Sequence, residues 1–155
     1  MKVAFGLLAG MLAGVPALAQ SPQDVMFPNA VGCYTRTYDA EHLGQHPGQN
    51  VTQIAVRAAG EIEEQGKIYL GLALQIRTAQ GQFSGEAYCE NTAGDLSCQM
   101  KGDGGWFTLT LAKNDAIRLD VGRGGLVFEG AADFLEVSGT KGDDRQFLMV
   151  PGMCF

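Results

Sequence analysis

The stretch "IYLGLALQIR", Ile68 to Arg77, decides how the chain folds. Ile68, Leu70, Leu72, Leu74 and Ile76 recur at every second position, and side chains alternate across a strand, so all five fall on one face. The spacing predicts a long strand with one side in a core. Upstream, Ile54 and Val56 mark a shorter strand, with "AAGEIEEQGK" (58–67) as the connection. Downstream, Phe83, Ala87 and Cys89 share one side, and Leu96, Cys98 and Met100 share one beyond the next turn. Phe107, Leu109 and Leu111 alternate with Trp106, Thr108 and Thr110; Ile117, Leu119 and Val121 alternate with Arg118 and Asp120. "LVFE" (126–129), "FLEV" (134–137) and "FLMV" (147–150) complete a set of about eight strands, each bounded by turn residues. No stretch of ten or more residues carries a helical apolar stripe.

So many antiparallel strands in one short chain must close on themselves or stack, because an open sheet would expose two edges and an apolar face. The expected fold is all-β: a small antiparallel barrel, with a sandwich as the runner-up, and one short helical turn. The 22 glycines punctuate the strands.

The first twenty residues join a lysine, an apolar run and Ala17-Leu18-Ala19, the pattern of a secretory signal peptide over residues 1–19. The run is short of the about 20 residues a membrane span needs, which argues against a stable membrane anchor. Residues 20–29, "QSPQDVMFPN", are polar and proline-punctuated and read as a mobile N-terminal tail. Residues 30–155 then form a single β domain. Removing Lys2 with the signal leaves 10 basic residues against 17 acidic ones, a balance of −7 with both histidines neutral. With no basic run, nucleic acid is not an expected partner.

Four cysteines in an exported chain imply two disulfides. Cys89 and Cys98 bracket the turn-forming "ENTAGDLS" and can face each other across a hairpin, which leaves Cys33 and Cys154 to clasp the ends. Loop-closure entropy gives the small loop roughly 3 kcal/mol and the clasp somewhat over 4 kcal/mol. No C-x-x-C redox motif occurs.

Chemistry-bearing residues concentrate in "CYTRTYDAEHLGQHPGQNVT", Cys33 to Thr52. Tyr34, Arg36 and Tyr38 alternate on one strand face, where two aromatics beside a guanidinium can stack on a ligand or hold an anion. They are the ligand-binding candidates. His42 and His46, four apart on a helical turn, could chelate Zn or Cu with Asp39 as third ligand. Pro47 weakens that chelate because the residue before a proline resists helical geometry, and the competing reading is a structural turn capped by Asp39. Asp143 or Asp144 could pair with Arg145 or Arg36. No nucleophile elbow, phosphate loop or dinucleotide fingerprint occurs, so no catalytic residue is nominated.

With Cys33, Arg36, His42, His46, Pro47, Gln49, Asp103-Gly104-Gly105, Asp143-Asp144-Arg145 and Cys154 in this order, the chain resembles a group of small exported proteins of proteobacteria. The resemblance implies an exported β-rich domain in the bacterial periplasm, or secreted, and brings no activity with it. The expected architecture is similar to periplasmic lysozyme inhibitors and lipocalin-like binders, and fold alone does not fix function. The leading expectation is a non-enzymatic binding module recognising a small molecule or an envelope protein. A Zn- or Cu-binding protein using the histidine pair is the alternative, and an envelope hydrolase comes third.

Overall fold

The computed structural model describes residues 19–155; the signal peptide expected over 1–19 lies outside them apart from its last residue. Nine strands form: β1 (Cys33–Thr37), β2 (Val51–Glu64), β3 (Lys67–Thr78), β4 (Gly81–Asn91), β5 (Asp95–Met100), β6 (Gly105–Leu111), β7 (Ile117–Glu129), β8 (Phe134–Val137) and β9 (Gln146–Pro151). Each pairs antiparallel with its neighbour in the order β1-β2-β3-β4-β5-β6-β7, and β9 returns between β7 and β1. Eight strands thus close a barrel, and no edge is left in that ring. β8 stands outside it, hydrogen-bonded only to the distal half of β7 (Leu126–Glu129).

The period-two faces fill the interior. Leu70, Leu72, Leu74 and Ile76 of β3 are fully buried against Ile54, Val56, Phe107, Leu109, Ile117, Leu119 and Phe147. Burying each such side chain stabilises by roughly 1.5–3 kcal/mol, so this layer is the main source of cohesion. Ile68 departs from its expected place: it lies at the strand's outer end, beyond the barrel, and is 63% exposed. Residues 58–64 also differ from the expected connection. β2 runs on to Glu64, and the chain reverses only at Gln65 and Gly66. A bulge between Ala58 and Glu61, centred on Gly60 at φ +93°, breaks the alternation there, and the broken pattern is why the segment looks like a loop in sequence.

The N-terminal segment is not the tail its composition suggests. Ser21 caps α1 (Pro22–Met26) by accepting from the Asp24 backbone N–H, with Pro22 in the first turn. A 3-10 turn (Pro28–Ala30) follows. Together they drive Met26 and Phe27 into one end of the barrel, where Phe27 is wholly buried and meets Tyr34 edge to face at 5.4 Å. Burial of Met26 and Phe27 in the open barrel end, with the Gln23 N–H donating to the Asn91 side-chain carbonyl, holds the segment in place. The other end carries α2 (Ala40–Gln45), the helical turn expected from the sequence.

Both disulfides form as the spacing predicts. Cys89 and Cys98 are directly opposed across β4 and β5, and Cys33 bonds Cys154 over a separation of 121 residues. Replacing both cysteines of the terminal pair by serine should lower unfolding free energy by over about 4 kcal/mol, against roughly 3 kcal/mol for the hairpin pair. Urea unfolding of the two double variants checks the order.

Backbone contact sets the bend in β7. After Val121 the strand leaves β6 and resumes pairing at Leu126 opposite Gly105. Gly105 has φ +91°, and a Cβ there would lie 2.0 Å from the Gly125 carbonyl oxygen. Gly105→Ala should cost about 2 kcal/mol or more. Gly44 in α2 has nothing within 4 Å of a Cβ, so Gly44→Ala should be neutral or gain up to about 1 kcal/mol. Chemical denaturation of both variants decides whether backbone approach or glycine content matters.

Candidate functional site

The site lies where β1 and β9 part. Only Tyr34 with Pro151 and Thr35 with Val150 pair these strands, and beyond Thr35 the chain of β1 diverges toward α2. A cleft of about 600 Å³ opens there, walled by Arg36 and Tyr38 on one side, α2 and its following turn above, and Gln146 and Leu148 of β9 opposite. That volume lies within the about 300–1,000 Å³ of small-molecule sites.

Four side chains of the Cys33–Thr52 stretch build one continuous stack. The Arg36 guanidinium lies 5.0 Å over the Tyr38 ring; Tyr38 stacks on His42 at 4.7 Å, and His42 on His46 at 4.3 Å. Local sequence explains the geometry. Asp39 is the N-cap of α2, accepting from the His42 backbone N–H at 2.8 Å, which starts the helix immediately after Tyr38. His42 and His46 then fall one turn apart on the side facing Tyr38. His46 is the C-cap, and Pro47 turns the chain away. Gln49 returns beneath the helix: its Oε1 lies 3.2 Å from His42 Nε2, and its amide donates to the Val51 carbonyl at 3.2 Å. Gln49 therefore fixes the His42 ring from the edge while Tyr38 and His46 hold both faces.

Asp143 and Asp144 do not pair with Arg145 or Arg36. Asp144, only 6% exposed, accepts from the backbone N–H groups of Asn50 and Val51, and Asp143 accepts from that of Gly48. The two carboxylates thereby tie the loop before β9 to the loop after α2. Asp144 thereby satisfies the Val51 N–H, which would otherwise be buried unpaired, while the Gly48 contact of Asp143 lies at the surface. Arg145 donates through Nε to the Gly142 carbonyl at 2.9 Å, within its own turn.

Charges around the cleft are unequal in their engagement. Asp120 is taken by Arg118 and by Gln146. Arg36 is different: its Nε is buried and makes no hydrogen bond, and among the described residues no carboxylate pairs with it. Tyr38 has its pKa raised by burial, which outweighs the opposing pull of Gln49 and Arg36, so its hydroxyl stays protonated and available as a donor at neutral pH.

Of the residues nominated from sequence, Arg36, Tyr38, His42 and His46 line the cleft. Tyr34 does not. It is buried one pair further down β1, donating its hydroxyl to the Met26 carbonyl at 3.0 Å, where it seats α1. Asp39, His42 and His46 are not brought to a common point. The Asp39 carboxylate is spent on the cap, and the imidazoles lie face to face at an interplanar angle of 23°. An imidazole lone pair lies in its ring plane, so two nearly parallel rings 4.3 Å apart do not aim at one ion. Among the described residues no three His, Cys, Asp or Glu side chains are placed to hold a metal ion. Gln49, Gln146 and Arg145, which sequence reasoning did not nominate as site residues, complete the wall. Gln49 and Arg145 do stand in the motif pattern quoted above, and that pattern was the one signal available for them.

No family model, curated protein or solved structure matches this chain. No described helix is long and apolar enough to cross a membrane.

Burial, reinforced by Asp143, holds the Asp144 carboxyl above its usual range, against the lowering effect of the Asn50 and Val51 N–H groups. A carboxyl with a raised folded pKa binds its proton more tightly in the folded state. Its contribution is therefore fully present below the unfolded value near about 4 and is lost as pH rises through the folded pKa. The stability of wild type relative to Asp144→Asn should fall as pH increases from 4 upward. Urea midpoints across that window test the sign, and a difference that grows with pH would mean the two N–H donors outweigh burial.

Proposed function

We propose that the protein is an exported, non-enzymatic binding module that holds a small anionic molecule in the cleft between β1 and β9. The observation that carries this reading is Arg36, whose buried Nε lacks a partner although its guanidinium is fixed in place over Tyr38. A buried donor left unsatisfied costs about 1–3 kcal/mol, and a carboxylate or phosphate oxygen is the acceptor to which a guanidinium donates best. Arg36 and Arg145 face Asp120 and Asp143 across the cleft, and Asp120 is paired with Arg118, so the lining is not acidic and an anion meets a guanidinium that holds no carboxylate. Tyr38, His42 and Gln49 supply hydrogen-bonding groups at the same opening. The stack fixes them before a ligand arrives, which lowers the ordering cost of binding.

Export is supported by the N-terminal sequence pattern and is compatible with two disulfides and no free cysteine. A protein held in an oxidising compartment with a ligand-sized cleft whose side chains are fixed before binding suits sequestration or sensing.

Isothermal titration with phosphate, pyrophosphate and di- and tricarboxylates provides the test. Arg36→Ala should weaken the best of these by about 10- to 100-fold, corresponding to a charged hydrogen bond worth about 1.5–3 kcal/mol. Its unfolding midpoint should hardly move, since loss of the cation–π contact, worth up to about 2 kcal/mol where desolvated, is offset by removal of a buried unsatisfied donor that costs about 1–3 kcal/mol. Arg36→Lys should restore little, because the forked geometry is gone. Retained affinity in Arg36→Ala, or a large loss of stability, would make the residue structural and sink the proposal.

A further inference from the structure

A row of aromatic side chains lies on the outer wall of the barrel, away from the β1–β9 cleft. Outward-facing positions on β3, β4, β5 and β6 bring Tyr69, Tyr88, Gln99 and Trp106 into one row. Tyr88 pairs in register with Gln99, and Gln99 with Trp106. The Tyr69 and Tyr88 rings are 6.2 Å apart, and Trp106 stands two strands from Tyr88, about 10 Å away at ordinary strand spacing. A shallow cleft of about 560 Å³ runs along the row, with Glu90, Thr92 and Ser97 on its floor and flank.

Three features make this a prepared surface. Trp106 is 46% exposed, yet its ring is laid over the backbone of Gly122, where a Cβ would come within 2.5 Å of the indole. One face of the ring is thus seated on glycine while the remainder is presented to solvent. Directly behind the row, Cys89 and Cys98 bond across the strand pair that carries Tyr88 and Gln99, so the platform is stiffened from the inside. The nearby cations are neutralised within the protein: Lys67 bonds Glu90 at 2.5 Å and lies over Tyr69, and Lys101 pairs with Glu86 and lies over Tyr88.

We propose that this face binds a neutral oligosaccharide strand. Apart from the disulfide-bonded Cys98 at its base, the cleft is lined by aromatic rings and hydrogen-bonding groups, with no Val, Leu, Ile or Met among them. Aromatic faces accept the C–H faces of sugar rings, while the amide, hydroxyl and carboxylate groups between them match sugar hydroxyls. A protein partner would instead call for an apolar centre inside a polar rim. An acidic glycan meets no free cation here, since both lysines are paired and Glu64 adds a further carboxylate. This surface is independent of Arg36 and of the reading given to the β1–β9 cleft.

Trp106 is the sole tryptophan of the chain, so its fluorescence reports directly on this face. The full mature protein is titrated into the millimolar range with hexasaccharides of glucose (β-1,4 and α-1,4), xylose and N-acetylglucosamine, with heparin as an acidic comparison. A saturable change in tryptophan emission with at least one neutral hexasaccharide is expected. Tyr88→Ser, which leaves the fluorophore and its Gly122 seat in place, should weaken it by about tenfold, the scale of one stacking contact. Phe134→Ala removes an exposed aromatic elsewhere and should leave the titration unchanged. No saturable response to any neutral sugar, a response to heparin alone, or equal weakening by Tyr88→Ser and Phe134→Ala would each overturn the proposal.

Discussion

Two residue pairs, Tyr34 with Pro151 and Thr35 with Val150, hydrogen-bond β1 to β9, and the ring of eight strands closes through them. Such a short ladder would be a weak seam on its own, because the loop it closes spans nearly the whole domain and pays a correspondingly large entropy. The Cys33–Cys154 bond sits beside those pairs and supplies the closure covalently. With the ends clasped, the apolar faces of the other strands have an enclosed volume to fill. The parting of β1 from β9 beyond Thr35 is then affordable, and it is this parting that admits solvent to Arg36 and Tyr38.

The cleft is assembled from α2, the turn that follows it and the loop before β9, held together by side-chain contacts. Asp39 starts α2, Gln49 anchors His42 from beneath, and Asp143 and Asp144 hold the turn that follows. These contacts are mostly side chain to backbone, which fixes loop paths without consuming side-chain partners that a ligand would need. The exception is instructive. The two acids that line the cleft, Asp120 and Asp143, are both hydrogen-bonded within the protein, whereas the buried Nε of Arg36 is not, and the imbalance gives the opening its chemical character.

Much of the barrel was legible because an apolar repeat of two leaves few options. β3, β4, β5, β6 and the proximal half of β7 bury the faces that the alternation marks, except at the strand ends, where Ile68 and Leu111 are exposed, and the cysteines follow their apolar neighbours inward. Legibility failed where the repeat is interrupted. The bulge at Gly60 shifts the pattern in β2, so the outer half of that strand reads as a connection. Met26 and Phe27 are too few to show a period, and their burial depends on a barrel end that exists only after folding. Within the site, the Arg36–Tyr38 face and the histidine pair were visible as residue types, but their stacking was not. Tyr34 shares the strand face with Arg36, yet two residues along a strand is about 7 Å, enough to pass from the open seam into the core. The partners of Asp143 and Asp144 are backbone groups some 95 residues earlier, and no local pattern announces such contacts.

The terminal disulfide also decides how the domain answers tension. A pull applied to the chain on either side of Cys33 and Cys154 travels from one cysteine to the other through the sulfur–sulfur bond. None of it reaches the strand ladders that lie between them in sequence. Force would straighten α1 and draw Met26 and Phe27 from the barrel end, and extension would then stop. The oxidised domain therefore behaves under load as a short, nearly inextensible link, and only after reduction could the strands themselves be peeled apart.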